Sequence, residues 1–249
     1  MKILSIALIS LLTVPVLASE ITSPFYLPQT GHFLTKTDAT YNKDKFKVDT
    51  TSRRYQRTLG EKIMLGIGGG MAVLIGGDLN WTKQKEQLTF SHPHTKTYAA
   101  GLKGQWETMG ILTQISTLYR QTTNVFFEPR RQMETHIRLG KNLKFMIPYL
   151  HLKGQFPLNA RPQFDEPIYR AETGVFQNVN DKITLDSALY LAYDKNIHGK
   201  SYGLRTELSY LLSSWSSIGI NGEWQAKGHA KNGADTYHQS VGINMRFAF

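Results

Sequence analysis

The sequence contains no cysteine among its 249 residues. Disulfide bonds are therefore excluded as a source of stability, which argues against a small fold held together by such bonds. The length is sufficient for one large all-β domain. A sheet that closes on itself, and so satisfies its own backbone hydrogen bonds, is compatible with the absence of cysteine.

Long hydrophobic runs are also scarce. The first 18 residues, MKILSIALISLLTVPVLA, combine Lys2, an apolar core and a small-residue end at Ala18. This pattern predicts a secretory signal peptide over residues 1–18, cleaved before Ser19, with an uncleaved anchor as the alternative. The uncharged run from Ile63 to Gly77 spans 15 residues, which is shorter than the roughly 20 that a membrane-spanning helix needs.

Basic residues are in excess but form no long block. The formal net charge is +10, yet no run of five or more basic residues occurs. A signal peptide excludes nucleic acid as a partner, because an exported protein does not meet nucleic acid in its working compartment. Anionic lipids of the cell envelope are the expected counterparts of the positive charge.

The stretch KIMLGIGGGMAVLIGGDLNW, residues 62–81, contains six glycines. Each glycine costs a helix interior about 1 kcal/mol, and the phosphate-binding pattern GxxxxGK followed by Ser or Thr is absent. Odd positions carry large apolar residues such as Ile63, Ile75 and Trp81, whereas even positions are mostly small or polar. This period of two predicts a β-strand rather than a helix.

Glycine also marks a chain reversal within this stretch. Counting back from Trp81 by the length of a tilted strand reaches Met71, which predicts a turn at Gly68–Gly70. A turn at residues 60–62 is the alternative, because LGEKIMLGI resembles LGKNLKFMI around Gly140. Either choice leaves the number of strands unchanged.

The strand that precedes this turn breaks the pattern. Arg57 and Glu61 share the apolar face of Leu59 and Ile63. We therefore expect either a bulge in this strand or an extension of it beyond the membrane.

The same alternation recurs along the rest of the chain. Segments of about ten residues with this period are the sequence signature of a transmembrane β-barrel. We therefore predict an all-β fold, an antiparallel transmembrane β-barrel of about 12 strands. The predicted lipid-facing sets beyond Trp81 are every second residue of Tyr98–Trp106, Ile111–Tyr119, Leu143–Tyr149, Tyr169–Val175, Ile183–Tyr193, Tyr202–Tyr210, Ile218–Trp224 and Val241–Phe249.

Short turns and long polar loops alternate along the chain, and this alternation predicts its orientation. Outer-membrane barrels have short periplasmic turns and longer extracellular loops, so we expect both termini in the periplasm. Aromatic residues then fall at matching depths, as interfacial girdles do, whereas a soluble β-sandwich gives no reason for this. The predicted outer girdle is Tyr41, Trp81, Tyr98, Tyr119, Tyr149, Tyr169, Tyr193, Tyr202, Trp224 and Tyr237, and the inner one is Trp106, Tyr210 and Phe247.

The chain ends in SVGINMRF, residues 240–247, followed by two more residues. This segment resembles the C-terminal assembly signal of bacterial outer-membrane proteins, in which a polar residue, a glycine and two hydrophobic residues occupy fixed positions. The matching residues are Ser240, Gly242, Met245 and Phe247, and Phe249 corresponds to the usual terminal aromatic residue. The resemblance implies insertion by the barrel-assembly machinery into a Gram-negative outer membrane.

The segment SPFYLPQTG, residues 23–31, is similar to the leader of uncharacterised, porin-like outer-membrane proteins. We expect three parts: the signal peptide (1–18), an N-terminal segment (19–30) and the barrel (31–249). The N-terminal segment is expected in the periplasm, with entry into the lumen as the alternative.

Charged residues of both signs lie opposite the predicted lipid faces. Eight are basic and seven are acidic, so neighbouring strands can interleave opposite charges. One interpretation is a salt-bridged lining that supports the wall, and the other is a narrow polar pore whose charges select small solutes. The candidate lining residues are Lys36, Asp38, Asp78, Lys103, Arg120, Glu134, Arg138, Lys144, Arg170, Glu172, Asp186, Arg205, Glu207, Glu223 and Arg246.

Catalysis has little support, and no catalytic, metal-binding or cofactor-binding residue is predicted. His238 and Ser240 form a candidate hydrolytic pair, but they lie on the face opposite Val241 and therefore point away from acyl chains. The pattern Asn-His-Ser-Asn-Gly of outer-membrane phospholipases is absent. His92 and His94 offer two imidazoles to a metal, with no third ligand nearby.

The expected function is a small passive channel for polar or charged solutes, which needs no cofactor. A lipid-modifying hydrolase and a non-conducting structural or adhesive barrel are the alternatives. Basic residues near the long loops are compatible with contact with lipopolysaccharide phosphates, and ordinary solubility is the alternative explanation. They are Lys83, Lys85, Lys96, Arg130, Arg131, Lys195, Lys200, Lys227 and Lys231.

Overall fold

A computed structural model of the protein describes residues 21–47, 51–84, 95–124, 129–143, 145–159, 166–195, 199–226, 228–229 and 235–249. These ranges contain twelve strands of ten or more residues and one strand of two residues. No helix in the same ranges is long and apolar enough to span a membrane. The strands are β1 (Phe33–Lys47), β2 (Thr51–Gly68), β3 (Met71–Gln84), β4 (Thr95–Thr108), β5 (Ile111–Asn124), β6 (Arg130–Lys141), β7 (Met146–Pro157), β8 (Ile168–Asn178), β9 (Ile183–Asp194), β10 (Gly199–Ser213), β11 (Ser216–Gln225), β12 (Gly228–His229) and β13 (Asp235–Ala248).

The sheet closes into a barrel because the first long strand pairs with the last. β1 runs antiparallel to β2 and to β13, and its pairing with β13 extends from Leu34–Ala248 to Lys47–Asp235. The other long strands pair in chain order, and the short β12 pairs with β10 and β13 at the long-loop end. Closure removes the exposed sheet edges that an open sheet would present. The predicted antiparallel barrel of twelve strands is therefore confirmed.

The two faces of the wall have opposite chemistry. Ile75, Leu189 and Ile220 point outward and are 59%, 62% and 58% exposed. Ser217 and Asn244 point inward and are 0% and 1% exposed. Alternating side chains produce this inside-out arrangement, which suits an outer face in lipid and a polar interior.

The glycine-rich stretch is a hairpin, as its parity predicts. β2 ends at Gly68 and β3 begins at Met71. Gly68, Gly69 and Gly70 have φ angles of 98°, 61° and 72°, a region that residues with a side chain rarely adopt. The predicted turn is confirmed, and the alternative turn at residues 60–62 is wrong because those residues pair within the sheet.

The second strand carries its charged residues without a bulge between them. The register between β2 and β3 is continuous from Arg54 to Gly66 and shifts between Gly66 and Gly68, beside the turn. Arg57 and Glu61 therefore stay on the outer face, and of the two alternatives the bulge at their position is wrong. Because β2 spans 18 residues and a tilted crossing needs about 9–11, the strand also extends beyond the membrane-spanning length.

The seventh strand differs from the prediction. Leu143 and Phe145 lie in the connection before β7, whereas Tyr149 lies inside the barrel and is buried. The predicted lipid face over Leu143–Tyr149 and the girdle position of Tyr149 are therefore wrong. The prediction extended the alternation of Leu143 and Phe145, which precede the strand, into β7, where the even-numbered residues face outward. The outward aromatic residue of β7 is Phe156, whose ring centroid lies 5.9 Å from that of Tyr169.

Candidate functional site in the barrel interior

Charged side chains meet across the interior of the barrel. Arg170 on β8 donates to Glu223 on β11 with an Nη1–Oε1 distance of 2.8 Å, although β9 and β10 separate these strands. Arg120 on β5 donates to Asp78 on β3 with an Nη2–Oδ2 distance of 2.8 Å. Contacts that skip a strand require side chains that point into the barrel, so these four residues line the interior.

Most of the candidate lining residues join salt bridges around the bore, in three groups that together we call the ring of salt bridges. Lys103 and Arg138 instead donate to backbone carbonyls of the N-terminal segment, and Lys144 lies outside the described residues. The ring places opposite charges next to one another around the bore, so its local fields largely cancel. Its pairs are Lys36–Asp38 (3.0 Å), Lys36–Glu207 (3.9 Å), Arg120–Asp78 (2.8 Å), Arg120–Glu134 (3.0 Å), Arg170–Glu172 (2.6 Å), Arg170–Glu223 (2.8 Å), Arg205–Glu172 (3.5 Å), Arg205–Asp186 (3.1 Å) and Arg246–Glu207.

Glu134 on β6 is a centre of this ring. Its carboxylate accepts from Arg120 at 3.0 Å, from Lys153 at 3.0 Å and from Gln155 at 3.0 Å. His136 Nε2 lies 2.6 Å from the same carboxylate. A buried carboxylate needs such donors, because an unpaired charge in a low-dielectric interior is costly.

Two histidines connect Glu134 to Glu172 on β8. His136 Nδ1 lies 2.9 Å from His151 Nε2, and His151 Nδ1 lies 3.2 Å from Glu172 Oε2. With both carboxylates ionised as acceptors, the three contacts need three protons on four ring nitrogens. All three contacts are hydrogen bonds only when the two imidazoles together carry three ring protons, that is, one positive charge between them.

Sequence reasoning missed the inward-facing residues of β7. Tyr149, His151 and Lys153 lie opposite β6 and β8 on the interior face, whereas Leu150 and Leu152 are exposed on the outer face. Tyr149 donates to Asp186 and accepts from Arg205 at 2.7 Å, so it belongs to the ring. The pair of outward leucines was the signal in the sequence that indicated the true parity.

The described part of the N-terminal segment, together with Gly31, lies inside the short-turn end of the barrel. Lys103 Nζ donates to the carbonyl of Tyr26 at 2.8 Å, and the amide of Gly31 donates to the carbonyl of Gly66 at 2.9 Å. The ring of Phe25 meets that of Tyr149 edge to face at 6.2 Å. Two buried apolar clusters include this segment: Ile21 belongs to one with Leu34, Met64, Ala72 and Leu211, and Phe25 to another with Leu112, Tyr149, Phe176 and Ala188.

The geometry allows one segment to span the bore. Twelve strands spaced about 4.8 Å apart and tilted by about 40° give a backbone diameter of about 24 Å. A central chain then lies about 12 Å from the wall, close to the roughly 10 Å between packed sheets. The two buried clusters that contain Ile21 and Phe25 include side chains from eight of the barrel strands, so the segment fills much of the cross-section at this level.

The N-terminal segment packs directly against the backbone of Gly66, which is possible because glycine has no side chain. We therefore expect Gly66→Ala to displace the segment. A Cβ atom at this position would lie 2.1 Å from the carbonyl oxygen of Gln29 and 2.4 Å from that of Pro28. Chymotrypsin should then cleave the folded variant after Phe25 and Tyr26 faster than the wild type, as followed by mass spectrometry.

Gly104→Ala is the matched control for this prediction, because its Cβ would meet nothing nearer than a Trp106 ring atom at 3.8 Å. Chymotrypsin should cleave this variant at the same rate as the wild type. Equal cleavage rates for the Gly66 variant and the wild type would contradict the packing of the segment against Gly66.

At the long-loop end, His238 faces the interior, as its parity predicts. His238 Nδ1 lies 2.7 Å from Asp44 Oδ1, and Arg54 donates to Asp44 Oδ2 at 3.1 Å. Within the described ranges, no group of three or more potential metal ligands comes together. The loop residues His92, His94, Lys85, Lys227 and Lys231 lie outside the described residues.

The C-terminal strand brings its aromatic residues to the short-turn end. Phe33 and Phe249 exchange two backbone hydrogen bonds of 2.9 Å, which complete the closure of the barrel. The rings of Trp215 and Phe247 lie 6.2 Å apart. Met245, Phe247 and Phe249 therefore share the outer face, while Ser240 and Gly242 share the inner face.

Comparison with known proteins identifies the fold. No family model and no curated protein matches the sequence. An outer membrane channel from Pseudomonas putida F1 superposes with a TM-score of 0.71 at 8% identity, covering 91% of this chain and 98% of that chain. The NanC porin superposes with a TM-score of 0.57 at 11% identity, covering 84% and 98%. The chain thus has the fold of porin-like outer-membrane proteins.

Proposed function

We propose that the protein is a narrow outer-membrane channel for small polar or charged solutes. The observation that carries this proposal is the ring of ionised side chains of both signs inside a barrel whose outer face is apolar. The similarity in fold to an outer membrane channel and to a porin supports it. The C-terminal signal fits insertion by the barrel-assembly machinery.

The structure indicates how the wall would select solutes. Salt bridges across the bore, such as Arg170–Glu223, narrow it and leave fixed charges at its surface. Such charges replace part of the hydration shell of a small ion or polar solute, whereas a bulky or apolar solute gains nothing from them. Transport through the channel would be passive and would use no cofactor.

A closed barrel is the second candidate, and the position of the N-terminal segment favours it. The segment crosses the short-turn end, and buried contacts hold it there. A channel closed by this segment and a barrel that never conducts differ in whether removal of the segment opens the bore.

Neutralising one partner of the Arg170–Glu223 pair should shift ion selectivity, with opposite signs for the two variants. Glu223→Gln leaves excess positive charge in the bore and should favour anions. Arg170→Gln removes positive charge and should favour cations, because bore charges set the local ion concentrations. Reversal potentials under a salt gradient in a planar bilayer measure both shifts.

Glu61→Gln is the control, because it makes the same chemical change as Glu223→Gln on the outer face. It should leave the reversal potential unchanged. Shifts of the same sign in both bore variants, or a silent bilayer from heat-modifiable, folded protein whether or not it carries the N-terminal segment, would overturn the channel proposal.

A further inference from the structure

Five cations cluster on the outer face of three neighbouring strands near the long-loop end. They are Lys43 and Lys45 on β1, Arg53 and Arg57 on β2, and Lys83 on β3, and we call them the outer basic patch. Each has the parity of the lipid-facing residues of its strand. The patch therefore faces the lipid and its headgroups rather than the bore.

The patch places like charges side by side. Lys45 lies directly opposite Arg53, a position at which Cβ atoms approach to about 5 Å and like charges destabilise the sheet. Among the described residues, Lys43, Lys45 and Arg53 form no salt bridge, whereas Lys36 and Arg54, which face the interior, do. An anion that bridges the outward cations would offset this repulsion.

An apolar groove lies on the outer wall directly below the patch. Its volume is about 690 Å³, and its floor and sides include Ala39, Leu59, Ile220 and Ile243. Ala39 is small compared with its neighbours, so the wall is recessed there. A groove of this chemistry, open to the membrane, suits a hydrocarbon chain.

Arg57 connects the groove to the patch. It lines the upper end of the groove together with Tyr41 and Trp81, and it lies directly opposite both of these rings. Aromatic rings of this kind sit at the level of lipid headgroups. A guanidinium at that depth presents a planar set of donors that matches a phosphate group.

From these observations we infer that the groove and the outer basic patch form one binding site for a lipid that carries phosphate groups. The acyl chain occupies the groove, and the phosphates bind Arg57, Arg53 and the neighbouring lysines. A free phosphate would use the cations alone, so the groove identifies the ligand as a lipid. The site is on the outer wall and does not depend on the proposed conduction through the bore.

The test uses the full-length folded protein in detergent micelles, titrated with a bisphosphorylated lipid A and followed by native mass spectrometry. The double variant Arg53→Gln/Arg57→Gln should bind this lipid at least about tenfold more weakly, because it loses two charge-assisted contacts. The control pair Lys141→Gln/Lys182→Gln removes two exposed cations from the short-turn end and should bind as the wild type does. Dephosphorylated lipid A should bind the wild type weakly.

A second variant tests the groove without changing the charge. Ala39→Trp fills the recess and should weaken lipid binding while leaving the cations in place. Heat-modifiable migration on gels confirms that each variant is folded before it is titrated.

Three results would overturn the inference. The first is wild-type affinity in the Arg53/Arg57 variant, and the second is an equal loss in the control pair, which would indicate only general surface charge. The third is displacement of the lipid by equimolar inorganic phosphate, which would indicate a site for free anions.

Discussion

Deleting residues 21–29 should raise the single-channel conductance several-fold. The segment occupies the bore at the short-turn end, where Ile21 and Phe25 belong to buried clusters with side chains from eight of the barrel strands. The deletion removes both of these residues and the backbone carbonyls to which Lys103 and Arg138 donate, so both cations lose a partner and become more accessible to solutes. Conductance steps of the refolded variant and the wild type in planar bilayers measure the change.

A substitution that keeps the full length of the chain distinguishes the effect of lost side-chain packing from the effect of removing the segment. Phe25→Ala removes the ring that contacts Tyr149 and Arg138 but keeps the backbone in place, so its conductance should lie between those of the wild type and the deletion. The same conductance in all three proteins would show that the segment does not limit flow, and silence in all three would favour the non-conducting barrel.

The barrel itself could be predicted from the sequence because the patterns that specify it lie within single strands and turns. Most strands alternate outward apolar and inward polar residues, and Gly68–Gly70 marks a turn that other residues cannot adopt at low cost. The error at Tyr149 has a local cause as well. Leu143 and Phe145 continue the parity of Tyr149 across a connection, and alternation by itself cannot show where a strand begins.

The interior arrangement is less predictable because it depends on contacts between distant strands. The sequence showed that Arg170 and Glu223 face inward, but their pairing requires the curvature of the closed barrel, which brings β8 near β11. The path of residues 21–31 is a similar case. The sequence left its location open, since its contacts with Gly66 and Tyr149 arise only when the barrel surrounds it.

Glu134→Gln should be among the most destabilising single substitutions in the barrel, by about 3–5 kcal/mol in the free energy of unfolding. The substitution keeps the volume but removes the charge that Arg120, Lys153 and His136 share. Arg120 keeps Asp78, whereas Lys153 loses the one carboxylate that contacts it among the described residues. Urea unfolding of the refolded protein in micelles, followed by tryptophan fluorescence, measures the loss.

Replacing Lys153 as well distinguishes an unpaired charge from a general defect in packing. If the penalty comes from the stranded ammonium group, Glu134→Gln/Lys153→Met should be more stable than Glu134→Gln alone, because the second change removes the buried charge. Glu107→Gln, at an exposed position beside a short turn, should change the stability by less than about 1 kcal/mol. A double variant that is less stable than Glu134→Gln would contradict this account and show that Lys153 contributes through contacts other than its ion pair. The ring of charges would then act chiefly as packing for the wall, and its influence on solutes would be secondary.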